Sequence, residues 1–225
     1  MVLEELHELL NDEFLLNGVE VCGIDASGLV LKDRSGTALQ LADMSDGYRA
    51  AIALLVDILR HMVSVYGPDG LTKRQNGRLV VAKSGVVLID EIDSHLHPEW
   101  QRRIGFWLKE RFPKVQFLVT THSPLICQAA DFQGIFHLPP PGNDVQPYQL
   151  SDDEYRQVIN SKPDTILLSR AFNLRHTRSP RTVNDEQEYS RLAAKRDAGL
   201  ATDDELKRMR KLREELYPLL SQGNQ

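Results

Sequence analysis

The stretch Gly85-Val86-Val87-Leu88-Ile89-Asp90-Glu91 constrains this chain more than any other. An unbroken apolar run behind a glycine predicts a strand buried on both faces, as in parallel sheets. Such a strand holds its last residues rigidly at the sheet edge, where α/β proteins bind ligands. Here those residues are two adjacent carboxylates. Pro98 then opens a helix predicted to reach Phe112, with Trp100, Ile104, Trp107 and Leu108 on one face. Val115–Val119 reads as a second buried strand, Leu125–Ala130 as a short helix and Ile135–His137 as a third strand. Strand, helix, strand, helix, strand is the order of an α/β layer with a parallel sheet.

The flanks read differently. Residues 1–17 predict an amphipathic helix carrying Leu3, Leu6, Leu9 and Leu10, with Gly18 as its stop. Val19–Ile24, Leu29–Lys32 and Thr37–Leu41 are short runs separated by turn chemistry, hence a small antiparallel meander. A helix from Gly47 to Val65 follows, with Ser45 or Asp46 as its cap. Residues 67–78 are polar and glycine-bearing and predict an exposed loop. After Pro139-Pro140-Pro141-Gly142 the chain is helical and highly charged. Ser151 with Glu154, and Thr202 with Glu205, match capping boxes. A helix over 183–198 ends at Gly199 and pairs with the last one as a hairpin. The expected organisation is a leading helix over 1–18, an α/β body over 19–148 and a helical tail over 149–225.

Composition narrows the function classes. The chain has 225 residues and a net charge of −5, which excludes a globally basic nucleic-acid binder. Its longest clean apolar run, Ala50–Val56, falls far short of the ~20 residues a bilayer needs. The acidic start MVLEELHELL lacks a basic leader, so a cytoplasmic protein with Cys22 and Cys127 as reduced, buried thiols is expected.

Four features in a fixed order carry the chemistry. Met44-Ser45-Asp46-Gly47-Tyr48 opens a helix, whose N-terminal N–H groups and dipole suit an anion. Asp90 and Glu91 end the first strand: an Asp there holds a hydrated Mg²⁺ against nucleotide phosphates, and an adjacent Glu orients a water for in-line attack. Ser94-His95-Leu96-His97-Pro98 comes next. Thr120-Thr121-His122-Ser123-Pro124 ends the second strand, bringing a histidine within reach of the same phosphate.

This combination resembles the ATP-binding-cassette class of ATPase heads, in particular its RecF, SMC and OLD branch and the AAA-core ATPases of bacterial anti-phage systems. The resemblance covers about Leu41 to Ala130. It implies a partial P-loop NTPase fold in which the 19–148 body is the C-terminal lobe of a head. Asp90 would be the Walker B carboxylate and bind Mg²⁺ through water. Glu91 would be the catalytic Glu, His122 the switch His, and Ser45 and Gly47 part of the signature that grips ATP. In that class two heads sandwich two ATP molecules, so a head–head dimer is implied. Two positions depart from the pattern: Asp46 stands where the wider class has Gly, and His97 where Asp is frequent.

The larger departure is the phosphate-cradling loop Gly-x-x-x-x-Gly-Lys-Ser/Thr. None of the chain's lysines follows a glycine. The Walker A lobe is therefore expected in trans, or the frame is truncated, and ATP hydrolysis is expected only when that lobe is supplied.

Rival readings remain at this stage. The chain could be a non-catalytic interaction module that binds no nucleotide alone. A metal-dependent nuclease could centre on Asp90 and Asp93, and Asp90, Glu91, Asp93, His95 and His97 could form a transition-metal cluster. Arg170, Arg175, His176, Arg178 and Arg181 form a basic cluster suited to nucleic-acid phosphates, or to ion pairs with Asp164, Asp185 and Glu186.

Overall fold

A computed structural model describes residues 2–25, 28–142 and 144–217. The chain divides into two units, Met1–Pro163 and Asp164–Gln225.

The first unit opens with helix α1, Val2–Asn11. The amphipathic pattern predicts helix to residue 17, but Asn11 ends it. Its side-chain amide donates to Val21 O at 3.0 Å and accepts from Val21 N at 2.8 Å, imitating a strand partner. Beyond it, three side-chain donors hold every second carbonyl. Trp107 donates to Asp12 O and Trp100 to Phe14 O, both at 3.0 Å, and the Tyr48 hydroxyl donates to Leu16 O at 2.9 Å. The tryptophans are thus buried core residues with satisfied indole N–H groups.

Strands β1 (Glu20–Asp25), β2 (Gly28–Lys32) and β3 (Ala38–Gln40) form the expected antiparallel meander. Cys22 faces solvent on β1, against the expectation of a buried thiol, because alternation turns Val21 inward instead. Cys127 is partly enclosed, and burial pushes its thiol up to about 11.

Helix α2 spans Asp46–Tyr66 and buries Ala51, Ile52, Leu55, Ile58, Leu59 and Met62. The polar segment after it is not simply a loop. It contains the hairpin of β4 (Thr72–Gln75) and β5 (Arg78–Val81). Asn76 and Gly77 make its two-residue turn, both at positive φ (52° and 80°), as such turns require. Charged side chains on β4 hid the strand from a hydrophobicity reading. Arg74 lies 2.9 Å from Glu8 on α1, so the hairpin is held partly by exposed ion pairs.

Strand β6 (Gly85–Ile89) and strand β7 (Val115–Val119) pair in parallel, in register from Gly85 opposite Val115 to Ile89 opposite Val119. Helix α3 (Pro98–Arg111) connects them and buries Trp100, Ile104, Trp107 and Leu108 on the predicted face. One side of this pair, Val87, Ile89, Val115 and Phe117, packs on the core. The other side is open: Val86 is 58%, Leu88 77% and Leu118 49% exposed. The expectation of strands buried on both faces fails here, since among the described residues nothing covers the second face. The third parallel strand is also not formed. Helix α4 is only Pro124–Cys127, and β8 (Phe136–His137) pairs antiparallel with β9 (Tyr148–Gln149) in a separate two-stranded sheet. Only four residues separate Gly134 from the proline run, which leaves room for no more than this short strand. Helix α5 (Asp152–Asn160) completes the first unit, with the Ser151–Glu154 capping box formed.

Helix α6 (Pro163–Leu168) begins where the units divide. In the second unit α7 (Pro180–Asp197) and α8 (Asp203–Leu216) make the expected hairpin around Leu192, Met209 and Leu212. Gly199 takes φ +70° at the turn, and the Thr202–Glu205 capping box is formed. No helix among the described residues is long and apolar enough to cross a membrane.

Candidate functional site

The ends of β6 and β7 are laced together by side chains. The Thr120 hydroxyl donates to Asp90 Oδ1 and accepts from the Glu91 N–H at 2.7 Å. One turn later the bracing runs the other way. Asp93 Oδ1 accepts from the Thr121 hydroxyl at 2.5 Å and from the His122 N–H at 3.2 Å. Ser94 Oγ donates to Glu91 Oε2 at 3.2 Å. Asp90, Glu91 and His122 therefore all stand exposed just past the ends of the two paired strands, two carboxylates after β6 and a histidine after β7. Glu91 sits in the left-handed region at φ 47°, as does His95 at φ 64°. Such backbone costs about 1–3 kcal/mol per residue and persists only where its surroundings over-determine it.

Ser45 and Gly47 lie elsewhere in the unit. With Asp46, Tyr48, Asn17, His95, His97 and Trp100 they line an open cleft of about 640 Å³. Asp90, Glu91 and His122 do not line it. Ser45 is the N-cap of α2 but makes no side-chain cap bond, which leaves its hydroxyl uncommitted to the helix. Gly47 is required by packing, since a Cβ there would stand 3.0 Å from His95 O. That close approach joins the first turn of α2 to the Ser94–His97 turn. Asp46, which departs from the pattern, is neutralised locally: Arg49 hydrogen-bonds its carboxylate and holds it below the usual carboxylate range. His97, the second departure, caps α3, its Nδ1 accepting from the Glu99 N–H at 3.2 Å. It thus performs the capping role of an Asp.

Several sequence expectations separate on this geometry. Asp90, Glu91, Asp93, His95 and His97 do not form a metal cluster: among the described residues no three His, Cys, Asp or Glu side chains converge as metal ligands. In the basic cluster, Arg178 pairs with Glu186, and Arg181 lies 3.8 Å from Asp185. Those two arginines are engaged within the second unit. Leu16 and Asn17 at the cleft were not anticipated as site-building residues; Thr120 was expected only as part of the His122 motif and Asp93 only as a metal ligand, not as braces between the strand ends.

Residues 7–128 match the family described as "AAA domain, putative AbiEii toxin, Type IV TA system", and the chain belongs to that family. It is 37% identical over 109 residues to a retron Ec83 probable ATPase of Escherichia coli, covering 48% of this chain and 19% of that protein. It is 30% identical over 149 residues to a Septu protein PtuA of Bacillus thuringiensis, covering 66% of this chain and 36% of that one. The chain thus spans well under half the length of these relatives. Among solved structures, an SMC ATPase chain is similar at TM-score 0.48 and 18% identity, over 70% of this chain and 88% of that one. Residues 7–128, within the first unit, are accordingly an AAA domain.

Proposed function

We propose that this chain supplies the Walker B and signature half of an ABC-type ATPase site, within an ATPase of a bacterial anti-phage system. The observation that carries it is the placement of Asp90, Glu91 and His122 just past the ends of two parallel strands braced by Thr120 and Asp93, behind a 21-residue helix opened by Ser45 and Gly47. Two exposed, adjacent carboxylates are a hard oxygen donor set that fits a hydrated Mg²⁺. Asp90 would hold that ion through water, and the ion would neutralise charge on ATP phosphates. Glu91 orients and takes the proton of the attacking water. His122 donates to the γ-phosphate. Ser45 and Gly47 present the N-terminus of α2 to the ATP held by a facing head. The retron and Septu relatives support placement in such a defence system.

The Walker A half would come from a complementary lobe, and the uncovered face of β6 and β7 supports this. Val86, Leu88 and Leu118 form an apolar strip on a buried-type strand pair, the kind of surface that is normally covered. The test is Mg²⁺-dependent ATP turnover by the chain alone and with a lobe carrying Gly-x-x-x-x-Gly-Lys-Ser/Thr. Turnover is expected only in the second case. Substantial turnover by the chain alone, or none with the lobe, would refute this function.

Leu88→Asp is the corresponding surface prediction. Its side chain is 77% exposed, so the unfolding free energy of the chain alone, read by urea denaturation, should change by no more than about 0.5 kcal/mol. Assembly with the lobe, measured by co-elution, should be lost, because a carboxylate would be buried without a partner. Undiminished assembly would place the contact elsewhere.

A further inference from the structure

Thr120 makes more bonds to the carboxylate turn than any side chain of the turn itself does. Its N–H donates to Ile89 O at 3.0 Å, and its carbonyl accepts from the Ile92 N–H at 3.1 Å. Its hydroxyl donates to Asp90 Oδ1 and accepts from the Glu91 N–H at 2.7 Å. One residue of β7's end thus bonds four consecutive residues, Ile89 to Ile92. The two backbone bonds would form with any residue. The two hydroxyl bonds need a side chain that donates and accepts at once, which only Ser and Thr supply at this length.

The hydroxyl bonds act on the chemistry directly. A proton donated to Oδ1 engages that oxygen of the exposed Asp90 and leaves the second outside the Thr120 bond. The bond from the Glu91 N–H holds that peptide where Glu91 keeps φ 47°, a conformation a glutamate does not adopt unaided. With an ordinary negative φ the Glu91 side chain would leave the strand end in another direction. We infer that Thr120 is the positioning residue that sets the direction of Glu91 and the free oxygen of Asp90. This role rests on the catalytic reading of Glu91 given above. Asp93 does the equivalent on the other side by holding the His122 N–H, but it is Thr120 whose hydroxyl bonds both carboxylate residues.

The test uses the chain assembled with its Walker A lobe and compares Thr120→Val, Thr120→Ser and Glu91→Gln. Valine matches threonine in shape and removes both hydroxyl bonds, while serine keeps them. Thr120→Val should lower kcat about 10²-fold, the cost of a misdirected reacting group, with KM for ATP within about threefold, since phosphate contacts are untouched. Thr120→Ser should restore kcat to within a few-fold of the parent. Urea unfolding of each chain separates a folding defect from a positioning one. A Thr120→Val chain that folds and turns over like the parent, while Glu91→Gln is inactive, overturns the role of Thr120 alone. Equal loss in Thr120→Val and Thr120→Ser also overturns it, since the hydroxyl would then not matter. If Glu91→Gln keeps parental turnover, or the parent assembly has none, the catalytic reading itself fails.

Discussion

Glu91→Gln should cut ATP turnover of the assembled site by about 10²- to 10⁴-fold, the contribution of a general base, while ATP remains bound. An amide has the size of the carboxylate and can still accept from Ser94 Oγ, which reaches Glu91 Oε2 at 3.2 Å. The local geometry would therefore survive. What is lost is the ability to take a proton from the attacking water. The backbone bond from the Glu91 N–H to Thr120 does not involve the side chain and is retained. Retention of labelled ATP by the variant, with hydrolysis followed as phosphate release, checks both halves. Parental turnover would move the base to another residue, and loss of ATP binding would show that the carboxylate serves the fold or the metal instead.

The second large effect is on stability. Arg111, the last residue of α3, is 1% exposed. Its guanidinium lies 5.7 Å from the Trp107 ring centre, and Nη2 stands 2.6 Å from Asp12 Oδ2. Nη2 and Nε complete no hydrogen bond, so the contact with Asp12 is an ion pair approached off the N–H direction. Arg111→Ala removes a buried cation, leaves Asp12 without its partner and opens a void beside Trp107. A loss of about 3–5 kcal/mol is expected, a large share of a typical domain's 5–15 kcal/mol or so. Arg111→Met should lose less, because it refills the volume and removes the need for a counter-charge. Urea denaturation followed by tryptophan fluorescence reads this, since Trp107 reports on the site. A loss below about 1 kcal/mol in Arg111→Ala would mean the pair contributes no more than an exposed one.

The same residues show why some of the molecule could be read in advance and some could not. Apolar spacing marked α2 and α3 correctly, and the two capping boxes marked α5 and α8, because these signals are local and periodic. The β4–β5 hairpin was missed because its strands carry charge outward and are held by a turn and by contacts with α1. Helix α1 ended early because Asn11 found a backbone partner ten residues on, which no local pattern encodes.

At the site, Asp90, Glu91, His122, Ser45 and Gly47 stood out in the sequence because they interrupt or end apolar elements at fixed order. Residue order along the chain determined the α/β pairing of β6 and β7 and the side on which their polar ends emerge, since parallel strands joined by a helix must end at the same edge. It also determined the missing Gly-Lys phosphate loop. Only the tertiary structure decided that Thr120 spans the Asp90–Glu91 turn, that Asp93 serves His122, and that Asn17 reaches the cleft of Ser45 and Gly47. It alone decided, too, that one face of the parallel pair stays open. Those outcomes depend on which residues of distant segments come within about 3 Å of one another. A hydrophobic run specifies that a face can be buried, and only a neighbouring element specifies that it is.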